Sequence, residues 1–136
     1  MVDNATLFKI LSEAKTIAVV GASKNPEKDA HKIPKYLQEH GYRIIPVNPT
    51  ADVILGERTY RSLSEEKAPY DVVDIFRPSA DVPAIVEEAI RGPAKVIWMQ
   101  LGIENEAAAK KAEAAGKIVV QNACMMIAHR RLVAPT

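Results

Sequence analysis

The sequence predicts an α/β fold: a Rossmann-like doubly wound, five-stranded and mainly parallel sheet with helices on both faces. Five short aliphatic and β-branched runs are separated by segments that mostly show helical periodicity. The spacing leaves room for the crossover helices that parallel strands require. The first run also breaks directly into Gly21-Ala22-Ser23, the strand, glycine loop and helix succession with which such sheets hold phosphate groups.

Each element follows from local pattern. Leu7, Ile10, Leu11 and Ala14 recur at helical spacing, so a first helix starts near Asp3 or Asn4. The strand Thr16–Val20 comes next, then a loop over 21–29. Ile33, Tyr36 and Leu37 form the apolar stripe of a second helix, closed by His40-Gly41. Pro34 is expected in its first turn, where a missing N–H is harmless. The second strand, Arg43–Val47, ends at Asn48-Pro49, and a loop with Gly56 and a short helical turn at 62–66 leads to the third, Val72–Phe76, stopped by Pro78. Val82, Ile85, Val86, Ala89 and Ile90 give an amphipathic helix closed by Gly92-Pro93. A fourth strand, Val96–Met99, an alanine-rich helix over 105–115, a fifth strand, Ile118–Gln121, and a short helix around 124–130 complete the chain. The expected strand order is 3-2-1-4-5. Ligands of such sheets bind beyond the carboxyl ends of the strands, here Gly21-Ala22-Ser23, Val47-Asn48-Pro49, Phe76-Arg77-Pro78, Gln100-Leu101-Gly102 and Asn122.

Composition narrows the function. The 136 residues suit one domain, expected over 1–136, and 48% are hydrophobic, enough for a core without metals or disulfides. Eighteen basic and seventeen acidic residues leave +1, too little for a field that gathers nucleic acid. No apolar run approaches a membrane span, and Met1-Val2-Asp3-Asn4 lacks a basic leader, so a cytoplasmic location is expected. Cys124 is the only cysteine, and His31, His40 and His129 are dispersed; neither a disulfide nor a metal site is expected.

The glycine loop is where a ligand is expected. Gly21 lets a diphosphate approach backbone N–H groups, with Ser23 and the following helix N-terminus as further donors. Lys24, Lys28 and Lys32 lie beside it as candidate phosphate ligands, whereas Lys35 reads as a solvated helix face. A dinucleotide fingerprint would need glycines where Ser23 and Pro26 stand, and an acid at the end of the second strand where Asn48 stands. A Walker loop is absent as well.

Four motifs in order, Val19-Val20-Gly21-Ala22-Ser23, Gly41 to Pro49, Asp74-Ile75-Phe76-Arg77 and Trp98 to Ile103, resemble the small single-domain CoA-binding proteins and the CoA-binding N-terminal domain of the succinyl-CoA synthetase alpha subunit. The resemblance covers nearly the whole chain. It implies coenzyme A as ligand: phosphates on Gly21, Ala22 and Ser23 with Lys24 and the segment from Lys28 to Lys32 closing over them, adenosine near Val47, Asn48 and Pro49, the pantetheine arm flanked by Phe76, Arg77 and Pro78, and Gln100 and Gly102 on the far side. Lys28, Ala30 and the Asn122-Ala123-Cys124 tail depart from the family's usual arginine, serine and Asp-Arg-Cys. Ala30 removes a phosphate-binding hydroxyl and Lys28 gives up bidentate geometry, so a weaker affinity is implied.

Several residues have two readings. Asp74 sits in an apolar strand, where it either bonds backbone N–H groups or a lysine, or serves acid–base chemistry. Arg77 either meets the ligand or pairs with Asp81 or Glu104. Trp98 and Met99 alternate on a strand, so at least one is core; Tyr42 and Tyr60 read as packing residues, and His129 as a partnered or surface histidine. Cys124 is either a small buried hydrophobe or a thiol near a helix N-terminus that meets the CoA thiol. No catalytic constellation emerges, so the chain reads as a CoA or acyl-CoA carrier, sensor or presenting module for a further protein. The alternatives are an NAD(P)-dependent oxidoreductase or redox sensor using the same cleft, and an interaction domain that binds no nucleotide.

Overall fold

Helix α1 (Asn4–Glu13) begins where the Asp3 carboxylate accepts the Thr6 N–H at 2.8 Å, and it buries Leu7, Ile10 and Leu11. The chain then alternates as its apolar pattern requires: β1 (Thr16–Val20), α2 (Asp29–Glu39), β2 (Arg43–Val47), β3 (Val53–Ile54), β4 (Glu57–Arg58), β5 (Val72–Ile75), α3 (Val82–Ile90), β6 (Val96–Met99), α4 (Glu106–Ala114), β7 (Ile118–Val120) and α5 (Met125–Leu132). These elements come from a computed structural model that describes residues 2–134. Met1, Pro135 and Thr136, included in the expected domain, lie outside the described residues.

The five long strands form one parallel sheet with helices on both faces. Residues of α1, α2 and α5 bury Ile17, Val19, Val72 and Trp98 on one face. Residues of α3 and α4 bury Ala18, Val73, Ile75, Ile97 and Met99 on the other. Trp98 and Met99 are therefore both core, on opposite sides, and the Trp98 indole donates to the Ala123 carbonyl at 2.8 Å.

The strand order differs from the expected one. It is β2-β1-β5-β6-β7, or 2-1-3-4-5 in order of the five long strands. The reason lies at Pro46. Its carbonyl points away from β1 and accepts the Tyr60 N–H, and Asn48 N–H donates to the Tyr60 carbonyl. The missing proline N–H faces the same outer side, which confines β2 to an edge. Tyr60 closes that edge through a single bridge to Val47, supported by the β3–β4 hairpin, whose turn is Leu55 and Gly56 at positive φ. The connection then crosses β1 and lays β5 on its far side.

Pro34 also sits elsewhere than expected, as the sixth residue of α2. Without its N–H, the Ala30 carbonyl one turn back lacks a helical partner. That carbonyl accepts the Ser23 N–H at 3.1 Å instead, stitching the glycine loop to the first turn of α2.

Candidate functional site

Doubly wound sheets open a crevice where neighbouring strands send their connections to opposite faces. Here that point lies between β1, followed by α2, and β5, followed by α3. Gly21 stands at its base with φ +90°. A Cβ there would lie 3.2 Å from the Phe76 carbonyl carbon and 3.0 Å from Arg77 Cδ, so only glycine lets the two loops approach so closely.

Two grooves meet at this crevice. The first, of ≈ 770 Å³, runs over Gly21, Ala22 and Ser23 between Val47-Asn48-Pro49 and Phe76-Arg77. The second, of ≈ 490 Å³, runs along Ile33, Gln100, Leu101, Ile103 and Cys124 to Met126 and Ile127. Lys28, Ala30 and Phe76 line both. Lys24, Lys32, Pro78 and Gly102 line neither groove; Lys24 and Lys32 are exposed on the same segment as Lys28.

The glycine loop offers fewer backbone donors than its sequence suggests. Gly21 N–H continues the sheet to the Val47 carbonyl at 3.0 Å, and Ser23 N–H is taken by Ala30. The N–H groups of Ala22, Asp29 and Ala30 find no acceptor among the described residues. The last two belong to the first turn of α2, whose positive end favours anions. Ser23 Oγ accepts the Asn25 N–H, which leaves its own proton free to donate. The Ser23 carbonyl accepts from His31 Nδ1 at 2.7 Å, since a carbonyl has no proton to give.

Asn48 ties loops together. Its amide donates to the Ala22 carbonyl at 2.8 Å, and its oxygen accepts the Thr50 and Ala51 N–H groups, both at 2.8 Å. Arg77 pairs with Asp81 at 2.8 Å, one of its two readings, and it also lines the first groove. A half-exposed pair of this kind is worth about 1 kcal/mol or less, so the guanidinium can turn to an anionic ligand at small cost. Arg61, which the sequence reading missed, lines the same groove; it donates to the Ala51 carbonyl at 2.8 Å and pairs with Asp52 at 2.9 Å. No local motif marks it, because only the Val47–Tyr60 bridge brings its loop to this edge. Two acids, Asp81 and Glu88, also line this groove, the first held by Arg77 and the second by the Ser64 hydroxyl at 3.0 Å.

At the second groove, buried Gln100 accepts the Met125 N–H at 3.1 Å and so caps α5, and Cys124 stands at the N-cap, 8% exposed. Gly102 and Asn122 join their loops, the Gly102 N–H donating to Asn122 Oδ1 at 2.7 Å. His129 turns away from this groove: it pairs with the Tyr36 hydroxyl at 2.8 Å, with the His40 ring 5.2 Å off. Burial, then His40, lowers its pKa. Burial pushes the Tyr42 phenol up to about 12, where it donates to the Leu11 carbonyl.

Asp74 departs from both sequence readings. It is wholly buried, and among the described residues neither oxygen has a hydrogen-bond partner, backbone or lysine. Burial drives its pKa well above the usual carboxylate range, which favours the neutral acid.

Similarity to known proteins bears on what this edge holds. The chain matches the CoA binding domain over residues 15–130. It is 41% identical to an uncharacterized Bacillus subtilis protein, YneT, over 92% of this chain and 93% of that one. A solved structure of a hypothetical protein from Pyrococcus horikoshii superposes with a TM-score of 0.94 at 43% identity, covering 97% and 93% of the two chains. An ADP-forming acetate–CoA ligase of Methanocaldococcus jannaschii is 35% identical over 60% of this chain, which spans 12% of that much longer protein.

Proposed function

The chain belongs to the CoA-binding domain family, and from that premise we propose that it binds coenzyme A or an acyl-CoA across the two confluent grooves. The observation that carries the reading is their junction: the groove at the switch point, which holds Arg61, Arg77, Ser23 and Asn48, continues past Lys28, Ala30 and Phe76 into one lined mainly by apolar side chains that reaches Cys124. A ligand with a diphosphate at one end and a long, weakly polar arm at the other suits that sequence of surfaces.

The residues fit the ligand's parts. Gly21 lets the loops after β1 and β5 close against each other at the base of the groove, and the N–H groups of Asp29 and Ala30, the Ser23 hydroxyl and the cations Lys28, Arg61 and Arg77 provide charge and donors for phosphate. Lys24 and Lys32 add positive potential from the adjacent surface. Val47, Asn48 and Pro49 take the adenosine side. Phe76 flanks the pantetheine arm, and Gln100 and Cys124 stand where its thiol end would arrive. The chain works as a single binding domain that carries, senses or presents CoA, with any chemistry supplied by a partner chain. An NAD(P) enzyme is not favoured: the amide of Asn48 is engaged with loop backbone where a dinucleotide site would present an acid.

Calorimetric titration of reduced, nucleotide-stripped protein with CoA, NAD and NADP tests this. Saturable binding of CoA that neither dinucleotide matches is expected. Equal or tighter binding of NAD or NADP, or no binding of CoA, refutes it.

A further inference from the structure

We propose that the physiological ligand is an acyl thioester with an unbranched aliphatic chain, the chain lying on an apolar wall formed by Leu101 and Ile127. This deepens the CoA reading and rests on it.

Leu101, in the loop after β6, and Ile127, in the first turn of α5, are 65% and 52% exposed. They are two of only five large hydrophobic residues so exposed among the described residues, yet both line the same groove. Met126 and Ile103 line the same groove, so its apolar lining draws on two separate elements, the loop after β6 and α5. Apolar surface left in water forgoes about 25 cal/mol for each Å² that could be covered.

The pantetheine arm does not account for this surface. Its amides and thiol want polar partners, and of the polar residues of the groove Lys28 and Asp29 stand where α2 begins, apart from the Leu101–Ile127 wall in sequence and element, while Gln100 directly precedes Leu101. Gln100 Oε1 is already occupied by the Met125 N–H. A carboxylate-bearing acyl group would find no cation on the wall itself, which is why a plain aliphatic chain is the class that fits. Continuity with the phosphate groove through Lys28, Ala30 and Phe76 sets the direction, with the acyl group beyond the thioester sulfur.

The test is a chain-length series by calorimetry: CoA, acetyl-CoA, butyryl-CoA and hexanoyl-CoA, all below micelle formation. Fully burying one methylene corresponds to roughly a fourfold gain. A wall open on one side is expected to give about twofold per methylene, and hexanoyl-CoA binds at least about tenfold tighter than CoA. The double variant Leu101→Ser/Ile127→Ser, at exposed positions that do not threaten the core, is expected to flatten the series, read as the gain per methylene relative to that variant's own affinity for CoA. CoA binding with a flat wild-type series overturns the acyl inference alone. A series that stays steep in the double variant overturns the assignment to this wall. Absence of binding by every member, CoA included, overturns the underlying CoA reading together with this one.

Discussion

Replacing Gly21 by alanine damages the fold before it damages a site. At φ +90° an L-residue is strained by about 1–3 kcal/mol. The new methyl also meets Phe76 and Arg77. Arg77 Cδ, at 3.0 Å, belongs to a flexible half-exposed side chain and can move away from its Asp81 partner. The Phe76 carbonyl carbon, at 3.2 Å, cannot: it is backbone leaving β5, and its N–H is held by the Val20 carbonyl at 2.9 Å. Overpacking against a fixed neighbour costs about 1–3 kcal/mol more. The expected loss is about 3 kcal/mol, which at a slope of about 1.5 kcal/mol/M moves the urea midpoint down by about 2 M. Gly21→Val loses more still, so it does not separate a loss of binding from a loss of fold. Urea unfolding of wild type and Gly21→Ala, followed by circular dichroism, decides it. A loss under about 0.5 kcal/mol would mean that the loop can relax away from Phe76, and the argument for a close approach at the switch point would fall.

Two further perturbations test buried titratable groups. His129 has its pKa lowered, so it folds neutral; its contribution is complete above the unfolded value of 6.5 and is lost as pH falls below it. Protonation would place a charge beside His40 and near Arg130, whose guanidinium lies 4.9 Å from the Tyr36 ring centre. Thermal melts should drop between pH 7.5 and 5, and His129→Gln should flatten that drop; an unchanged slope refutes the assignment. Asp74 has its pKa raised, the opposite sign for an acid: stability is fullest below the unfolded value of 3.8 and declines as pH rises toward the folded pKa. Asp74→Val, suited to a buried strand, should therefore stabilise the protein at pH 7 by about 1–3 kcal/mol in urea unfolding. A destabilised variant would show that the carboxyl has a partner after all.

The alternating pattern carried most of the architecture, because each long strand and helix announces itself through neighbours a few residues away, whereas the two-residue strands β3 and β4 fall in a stretch that reads as loop. The five strands, the helices on both faces and the strand-to-helix turn at Gly21 are all local signals. Strand order is not local, but one clue was present: Pro46 inside β2 argues for an edge, whereas the expected order put that strand between two others. The loop's hydrogen bonds were hidden because they depend on Pro34 being in the second turn of α2, a boundary that sequence places within a few residues at best. Arg61 and the Leu101–Ile127 wall come from loops and helices brought together only by the fold. Asp74 shows the limit differently: a buried carboxylate implies a partner on general grounds, and this one has none among the described residues.

An imino acid in the middle of a helix is ordinarily a defect, and in α2 it changes when the glycine loop becomes ordered. Because the carbonyl released by Pro34 is claimed by Ser23, the mouth of the groove is cross-braced by the protein itself. Its conformational entropy is surrendered once, during folding, and is not charged again when a ligand arrives. Encounter then resembles docking onto a finished surface: association is governed by diffusion and charge, and affinity differences between ligands appear in how slowly each departs.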